Sequence, residues 1–86
     1  MKISVELSMY PLNEDYKAPI IQFVESLRAR EDLVIKTNGM SSQLFGQYDV
    51  IMSVLAEEIK VLFNQEDKVV IVMKLVNDDL DGPVKF

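Results

Sequence analysis

The 86 residues of the chain, 49% of them hydrophobic, suffice for one core, and we expect one domain spanning residues 1–86. Nine Lys and Arg residues against fourteen Asp and Glu residues give a formal net charge of −5, which excludes the basic surface expected of a nucleic-acid-binding protein. The sequence has no Cys and no His, which excludes disulfides, thiolate nucleophiles, imidazole metal ligands and the common catalytic triads, so we expect a protein that is not an enzyme and holds no cofactor.

The first two elements follow from two different periodicities. Residues Ile3 to Tyr10 alternate strictly between apolar and polar side chains, which is typical of a half-buried strand that Pro11 ends. After a polar, turn-prone stretch, apolar residues recur with helical spacing and predict a helix from about Tyr16 to Arg30. The helical apolar set is Ile20, Phe23, Val24 and Leu27.

The middle of the chain has the pattern of a β-hairpin. Leu33 to Thr37 predicts a short strand, and Asn38-Gly39 is a dipeptide that joins antiparallel strands through positive φ values. A third strand is expected from Met40 to Phe45, where Gly46 would break it.

The last third predicts one helix and one strand. From Gln47 to about Asn64, apolar residues repeat at about 3.6, and Asp49 stands in the first turn, where a carboxylate complements the helix dipole. Lys68 to Val76 is the most β-prone stretch, and a short polar tail follows it. The helical apolar set is Ile51, Leu55, Ile59 and Leu62, and the tail contains Asn77-Asp78-Asp79 and Gly82-Pro83.

The resulting order β-α-β-β-α-β predicts an α+β fold, a ferredoxin-like sandwich with an antiparallel sheet of strand order 4-1-3-2 and both helices on one face. The helices would cover one set of alternating side chains from the first and last strands, and the other set would lie on an open face. The covered set is Ile3, Val5, Leu7, Met9, Val69, Ile71, Met73 and Leu75; the open set is Ser4, Glu6, Ser8, Tyr10, Val70, Val72, Lys74 and Val76.

The open face is too apolar to be left entirely in water, and the last strand forms an edge with few charges. We therefore expect a homodimer or homotetramer, assembled through the open sheet face or the edge strands. The alternative is a partly solvated face on which Glu6 and Lys74 form a cross-strand pair.

The candidate site is the polar segment around the third strand. Ser41, Ser42 and Gln43 can each donate and accept hydrogen bonds, which suits a small heterocycle that carries both kinds of group. Bonds to nearby backbone or water would explain the two serines equally well. An apolar wall could come from Phe45, Met40 or Tyr48.

Two carboxylates are candidates for contact with an amino group of the ligand. Glu6 stands in mid-strand, where desolvation is costly unless the carboxylate is hydrogen bonded, and an amino-heterocycle or a cation would satisfy it. Asp49 is the other candidate, although its position is also that of an ordinary helix-start residue, and Tyr48 could be a packing residue with a wet hydroxyl.

These same segments resemble the YkoF-like thiamine/hydroxymethylpyrimidine-binding family. The pattern Asn-x-Met-Ser-x-Gln-x-x-Gly-x-Tyr-Asp, read from Asn38 to Asp49, carries the resemblance together with the first and last strands. It implies a ferredoxin-like fold that binds the aminopyrimidine of thiamine without chemistry, in supply or salvage of the vitamin. The family's namesake resembles a tandem of two such repeats, which here a homo-oligomer would restore. The resemblance maps onto Glu6, Ser8, Asn38, Met40, Ser41, Ser42, Gln43, Tyr48 and Asp49.

Two other functions remain open at this point. A regulatory module of the amino-acid-binding ACT type shares the element order, but such sites usually use a glycine-containing loop after the first strand, and Tyr10 to Asp15 has no Gly. A purely structural oligomerisation domain is the second alternative. Because the apolar runs are far shorter than the roughly 20 residues of a membrane span, and the N-terminal segment carries Glu6 where a secretory signal is apolar, we expect a cytoplasmic protein without a membrane partner.

Overall fold

The computed structural model describes residues 1–84 and 86. Its elements confirm the predicted order, with boundaries that differ from the predicted ones by three residues or fewer. They are β1 (Lys2–Pro11), α1 (Lys17–Arg28), β2 (Val34–Thr37), β3 (Ser42–Gln47), α2 (Tyr48–Gln65) and β4 (Val69–Val76). In the described chain neither helix is long and apolar enough to cross a membrane.

The sheet is antiparallel with strand order β2-β3-β1-β4, which is the predicted order 4-1-3-2 read in reverse and confirms the ferredoxin-like α+β fold. Its register places Val5 opposite Leu44 of β3 and Leu75 of β4. Since side chains alternate along a strand, this register puts the apolar set of β1 on one face and the polar set on the other.

The core lies between the sheet and the two helices. Ile3, Val5 and Leu7 of β1 are buried there, as the alternation predicts, and Leu44 of β3 is fully buried beside them. Six of the eight helical positions predicted from the periodicity are buried, because the spacing keeps them on one side of each helix, while Ile20 and Ile59 are only partly buried. The buried helical residues are Pro19, Phe23, Val24, Leu27, Ile51, Val54, Leu55 and Leu62, of which Pro19 and Val54 lie outside the predicted apolar sets.

One member of the predicted covered set is not covered. Leu75 faces the helix side by its register with Val5, yet 49% of it is exposed. The helices pack principally over β1, β2 and β3, so the edge strand β4 projects beyond them. The other inward residues of β4 are only partly buried for the same reason.

The predicted hairpin turn is also corrected. In the described chain a positive φ occurs at Gly82 alone, and not at Asn38 or Gly39. A four-residue loop, residues 38–41, joins β2 to β3 instead, so Met40 lies in this loop and β3 begins two residues later than predicted. The Asn38 Oδ1 accepts hydrogen bonds from the backbone N–H groups of Met40 (2.8 Å) and Ser41 (3.2 Å), which closes the loop without a left-handed residue.

Gly46 does not break β3. It pairs with Ile3 inside the strand, and a Cβ built on it would stand 3.6 Å from side-chain atoms of Ile51 and Leu33. The strand continues to Gln47 and α2 begins at the next residue, Tyr48, whose N–H donates to the Met1 carbonyl. The small residue therefore lies where the start of α2 crosses closely over the sheet.

After β4 the chain turns back across the open sheet face. We call residues 78–81 the C-terminal strap. Its backbone is hydrogen bonded to Ser4 of β1, and its Asp81 pairs with Lys36 of β2, so that it crosses from one edge strand to the other. The strap covers one half of the open face and leaves the other half bare.

Candidate functional site

The bare half of the open face begins with a row of four polar side chains, one from each strand. The register aligns Lys36, Gln43, Glu6 and Lys74 directly across the sheet. A neighbouring row, under the strap, consists of Val34, Phe45, Ser4 and Val76. The open face thus changes from mainly apolar side chains in one row to mainly charged side chains in the next.

Glu6 is the centre of this polar row. Its Oε1 is 2.9 Å from the Nζ of Lys74, and its Oε2 accepts a 2.9 Å hydrogen bond from the Oγ of Ser41. The pKa of Glu6 lies below its ordinary value, because Lys74 and then Ser41 donate hydrogen bonds to the carboxylate and the positive charge of Lys74 adds to the effect. The carboxylate is therefore ionised at neutral pH and is held in one orientation.

Two concavities flank this row. The first, which we call the open-face groove, has a volume of about 400 Å³ and lies between the polar row and the strap. Phe45 and Val76 form its apolar side, and Leu80 of the strap closes its end. Ser4, Glu6, Gln43 and Lys74 supply its polar side.

The second concavity, the hairpin cavity, exists because β1 is longer than β3. Pairing between them stops at Leu7 and Ser42, while β1 continues to Pro11 alongside β4. The space beside the unpaired end of β1 is bounded by the loop 38–41 on one side and by α1 below, and it has a volume of about 210 Å³. Its polar lining includes Ser8, Thr37, Asn38, Ser41 and Ser42, and its apolar lining includes Leu7, Met9, Tyr10, Ile20 and Val24.

Ser42 is the buried polar residue of this lining. The residue is only 5% exposed, and its Oγ is 3.0 Å from the Oγ1 of Thr37 on the neighbouring strand. The Ser8 Oγ donates a long bond, 3.4 Å, to the Met40 carbonyl across the mouth. The cavity thus combines hydroxyls that can donate and accept with an apolar wall from α1, which suits a small flat heterocycle.

Most of the predicted site residues come together around these two concavities. Ser8, Asn38, Met40, Ser41 and Ser42 line the hairpin cavity. Glu6, Gln43 and Phe45 line the open-face groove, and the hydrogen bond between Ser41 and Glu6 joins the two sites. Met40 is 88% exposed, so it offers little of the apolar wall predicted for it.

Tyr48 and Asp49 are placed elsewhere. They begin α2 at the end of the sheet where Lys2 pairs with Gln47, four residues along β1 from Glu6, or about 13 Å at the rise of a strand. Asp49 stands in the first turn of α2, as predicted from its position after the strand. The structure therefore separates these two side chains from the other predicted site residues.

The sequence reasoning missed the apolar wall of the hairpin cavity and the strap. Tyr10, Ile20 and Val24 line the cavity, and Tyr10 is half exposed there. The strand alternation already placed Tyr10 on the face of Ser8, so its role could have been found by asking which aromatic lies next to the serines. Among the described residues no cluster of three or more Asp or Glu side chains forms a metal site.

Solved structures of other proteins share this fold. A protein of Streptococcus pneumoniae has a TM-score of 0.84 and 26% identity over 93% of this chain and 90% of its own. A protein of Thermotoga maritima, provisionally assigned to thiamine biosynthesis or salvage, has a TM-score of 0.81 and 16% identity over 91% of this chain and 85% of its own. A domain of unknown function from Bacillus cereus has a TM-score of 0.75 and 15% identity over 99% of this chain and 84% of its own. No family profile matches the sequence, and no curated protein matches it significantly.

Proposed function

We propose that this chain is a cytoplasmic, non-catalytic binder of thiamine or its hydroxymethylpyrimidine moiety, serving supply or salvage of the vitamin, and that the pyrimidine binds in the hairpin cavity. The observation that carries the proposal is the lining of that cavity, where Ser8, Ser41 and Ser42 stand together with apolar side chains of β1 and α1 around a volume of about 210 Å³. The resemblance of the segment Asn38 to Asp49 to the YkoF-like family supports the same ligand. So does the fold shared with the Thermotoga maritima protein.

The cavity offers each group of an aminopyrimidine a partner. The hydroxyl of Ser42 can donate to a ring nitrogen, the Oγ of Ser41 can accept from the ligand while it donates to Glu6, and Tyr10 or the α1 side chains can lie against the ring face. Of the two carboxylate candidates we assign Glu6 to the exocyclic amine, because Ser41 links it to the cavity and Asp49 lies at the other end of the sheet. Lys74, which is largely exposed, can move aside to release one carboxylate oxygen.

Isothermal titration at fixed salt with thiamine, hydroxymethylpyrimidine and a panel of amino acids tests this function. We expect saturable heat with the two pyrimidines and none with amino acids. Ser42→Ala should raise the Kd roughly five- to tenfold, which corresponds to one hydrogen bond of about 1 kcal/mol. Ser53→Ala on the exposed face of α2 is the matched control and should leave the Kd unchanged.

Two results would replace the proposal. Saturable heat with amino acids alone would favour an ACT-type regulatory module. The absence of binding heat with every compound would favour a purely structural oligomerisation domain. Unchanged affinity in Ser41→Ala, Ser42→Ala and Glu6→Gln, with pyrimidine binding intact, would move the ligand out of the hairpin cavity.

We also propose that the chain assembles as a homodimer or homotetramer through the edge strand β4 or the bare part of the open face. The support is a group of apolar side chains on the bare part of the open face: Tyr10, Val70 and Val72 are between 46% and 54% exposed. Size-exclusion chromatography with light scattering should give a mass that is a multiple of the monomer mass. Val72→Lys should reduce this measured mass towards that of the monomer. Val61→Lys, on the comparably exposed α2 surface, should not.

A further inference from the structure

The C-terminal strap is recognised by groups on the sheet in the way that a bound peptide would be. The Oγ of Ser4 donates a 2.8 Å hydrogen bond to the Asp78 carbonyl and accepts a 2.8 Å hydrogen bond from the N–H of Leu80. One buried hydroxyl therefore satisfies two backbone groups on either side of a single residue, Asp79. These two contacts are made to the backbone of the strap and not to its side chains. Within the strap, the Asp78 Oδ1 accepts a hydrogen bond from the Asp79 N–H (2.9 Å) and the Asp79 Oδ1 accepts one from the Asp81 N–H (3.2 Å).

The side chains of the strap contact other residues of the sheet. The Nζ of Lys2 is 3.7 Å from a carboxylate oxygen of Asp79, and Lys36 forms an ion pair with Asp81. Leu80, between the two aspartates, lies in the open-face groove beside Phe45, which is only 8% exposed. Four consecutive residues of the strap thus find a backbone partner, a cation or an apolar surface.

None of these contacts depends on the strap belonging to the same chain. The lysines are exposed, so the two ion pairs can open and re-form in water at little cost. What favours the strap over a separate peptide is the short connection to β4, which gives it an effective concentration of the order of millimolar. A site of this kind can be vacated and taken by a competing segment.

We propose that the region of the open face formed by Ser4, Lys2, Lys36 and Phe45 is a docking site for an acidic peptide with an apolar residue between two aspartates, and that the strap occupies it in cis as an intramolecular competitor. The partner is a protein segment with the chemistry of Asp-Asp-Leu-Asp. The site shares no residue with the hairpin cavity and does not rest on the proposed function.

The experiment uses the full chain with a weakened strap. In Leu80→Ala/Asp81→Asn the strap loses its apolar residue and one of its ion pairs, while the sheet is unchanged. A fluorescent peptide with the sequence of residues 76–83 is titrated against both proteins, and binding is followed by anisotropy. We expect the variant to bind the peptide at least tenfold more tightly than the unaltered chain.

Two controls test whether the peptide uses the strap's contacts. Adding Ser4→Ala to the weakened-strap variant should lower its peptide affinity at least tenfold. A peptide with asparagine in place of both flanking aspartates should bind roughly two- to tenfold more weakly, since each exposed ion pair contributes little. Binding of the acidic peptide should also fall as salt is raised, because the pairs with Lys2 and Lys36 are exposed.

A second variant covers the case in which the weakened strap disturbs folding. The chain has no cysteine of its own, so Asp32→Cys/Asp81→Cys, at two positions around one surface hollow, can be joined selectively by a bismaleimide while Lys36 stays in place. The unlinked protein should bind the peptide and the linked protein should not. A weakened-strap variant that is less stable but binds no peptide, or equal binding by linked and unlinked protein, would overturn the proposal.

Discussion

Replacing Ser4 by alanine should detach the C-terminal strap from the sheet at a measurable cost in stability. The substitution removes the donor to the Asp78 carbonyl and the acceptor for the Leu80 N–H, both at 2.8 Å. Net hydrogen bonds of this kind contribute about 0.5–1.5 kcal/mol each, so the two together stabilise by about 1–3 kcal/mol. Because both bonds are only partly buried, water can replace Ser4 at the two strap groups, and the lower half of that range is expected.

Ser8→Ala provides the matched control on the same strand and the same face. Its hydroxyl makes one long, exposed bond of 3.4 Å to the Met40 carbonyl, so the free energy of unfolding should change by less than about 0.5 kcal/mol. Urea denaturation followed by circular dichroism measures both variants. In a thermal scan, each kcal/mol lost from the free energy of unfolding should lower the Tm by roughly 4–8 °C for a chain of this size.

Hydrogen exchange places the effect in the structure. In Ser4→Ala the Leu80 amide should exchange at least tenfold faster than in the unaltered chain, while the amide of Leu44 in the core of β3 should be protected in proportion to global stability alone. Equal stability of Ser4→Ala and Ser8→Ala, with unchanged exchange at Leu80, would refute the assignment of the strap to the Ser4 hydroxyl.

Three further predictions concern the core, the close crossing of α2 and the polar row. Leu44→Ala should destabilise by about 2–5 kcal/mol in urea denaturation, because Leu44 is fully buried and its removal leaves a cavity. Gly46→Ala should stabilise by about 0.4–1 kcal/mol, since the added Cβ makes ordinary contacts at 3.6 Å and the unfolded chain loses freedom; a loss of stability would mean that Ile51 cannot accept the methyl group. The lowered pKa of Glu6 means that its pair with Lys74 stabilises the fold above pH 4.5 and that this contribution is lost as the pH falls through the lower folded-state pKa. The Tm advantage of the unaltered chain over Glu6→Gln should therefore shrink as the pH falls below 4.5, and a difference that stays constant until the chain unfolds in acid would contradict this.

The strands and helices could be predicted because each carries a clean periodicity. The alternation in β1 assigned Ile3, Val5 and Leu7 to the core, and the register bears this out. The errors fall where a tertiary contact decides the local conformation. Gly46 stays in β3 because the pairing with β1 continues through it, and the loop of residues 38–41 is closed by the Asn38 side chain and not by left-handed backbone.

The candidate site was predictable in its polar part and not in its shape. The serines stood out because polar residues are unusual in a strand, and Ser41 does lie against Glu6. The hairpin cavity itself exists because β1 continues for four residues beyond the last residue that pairs with β3. No local sequence pattern predicts this difference in strand length. The strap escaped prediction because residues 78–81 have no periodicity, and their position depends on a serine hydroxyl more than seventy residues earlier.

The direct junction between β3 and α2 determines where this chain can change length. An α-helix turns by about 100° per residue, so one residue inserted between Gln47 and Tyr48 would rotate the buried side of α2, with Ile51 and Leu55, out of register with the sheet. The loop of residues 38–41, at the other end of β3, has no helix to misalign. Variation in length within proteins of this fold should therefore accumulate at the mouth of the hairpin cavity, where it alters the site without disturbing the core.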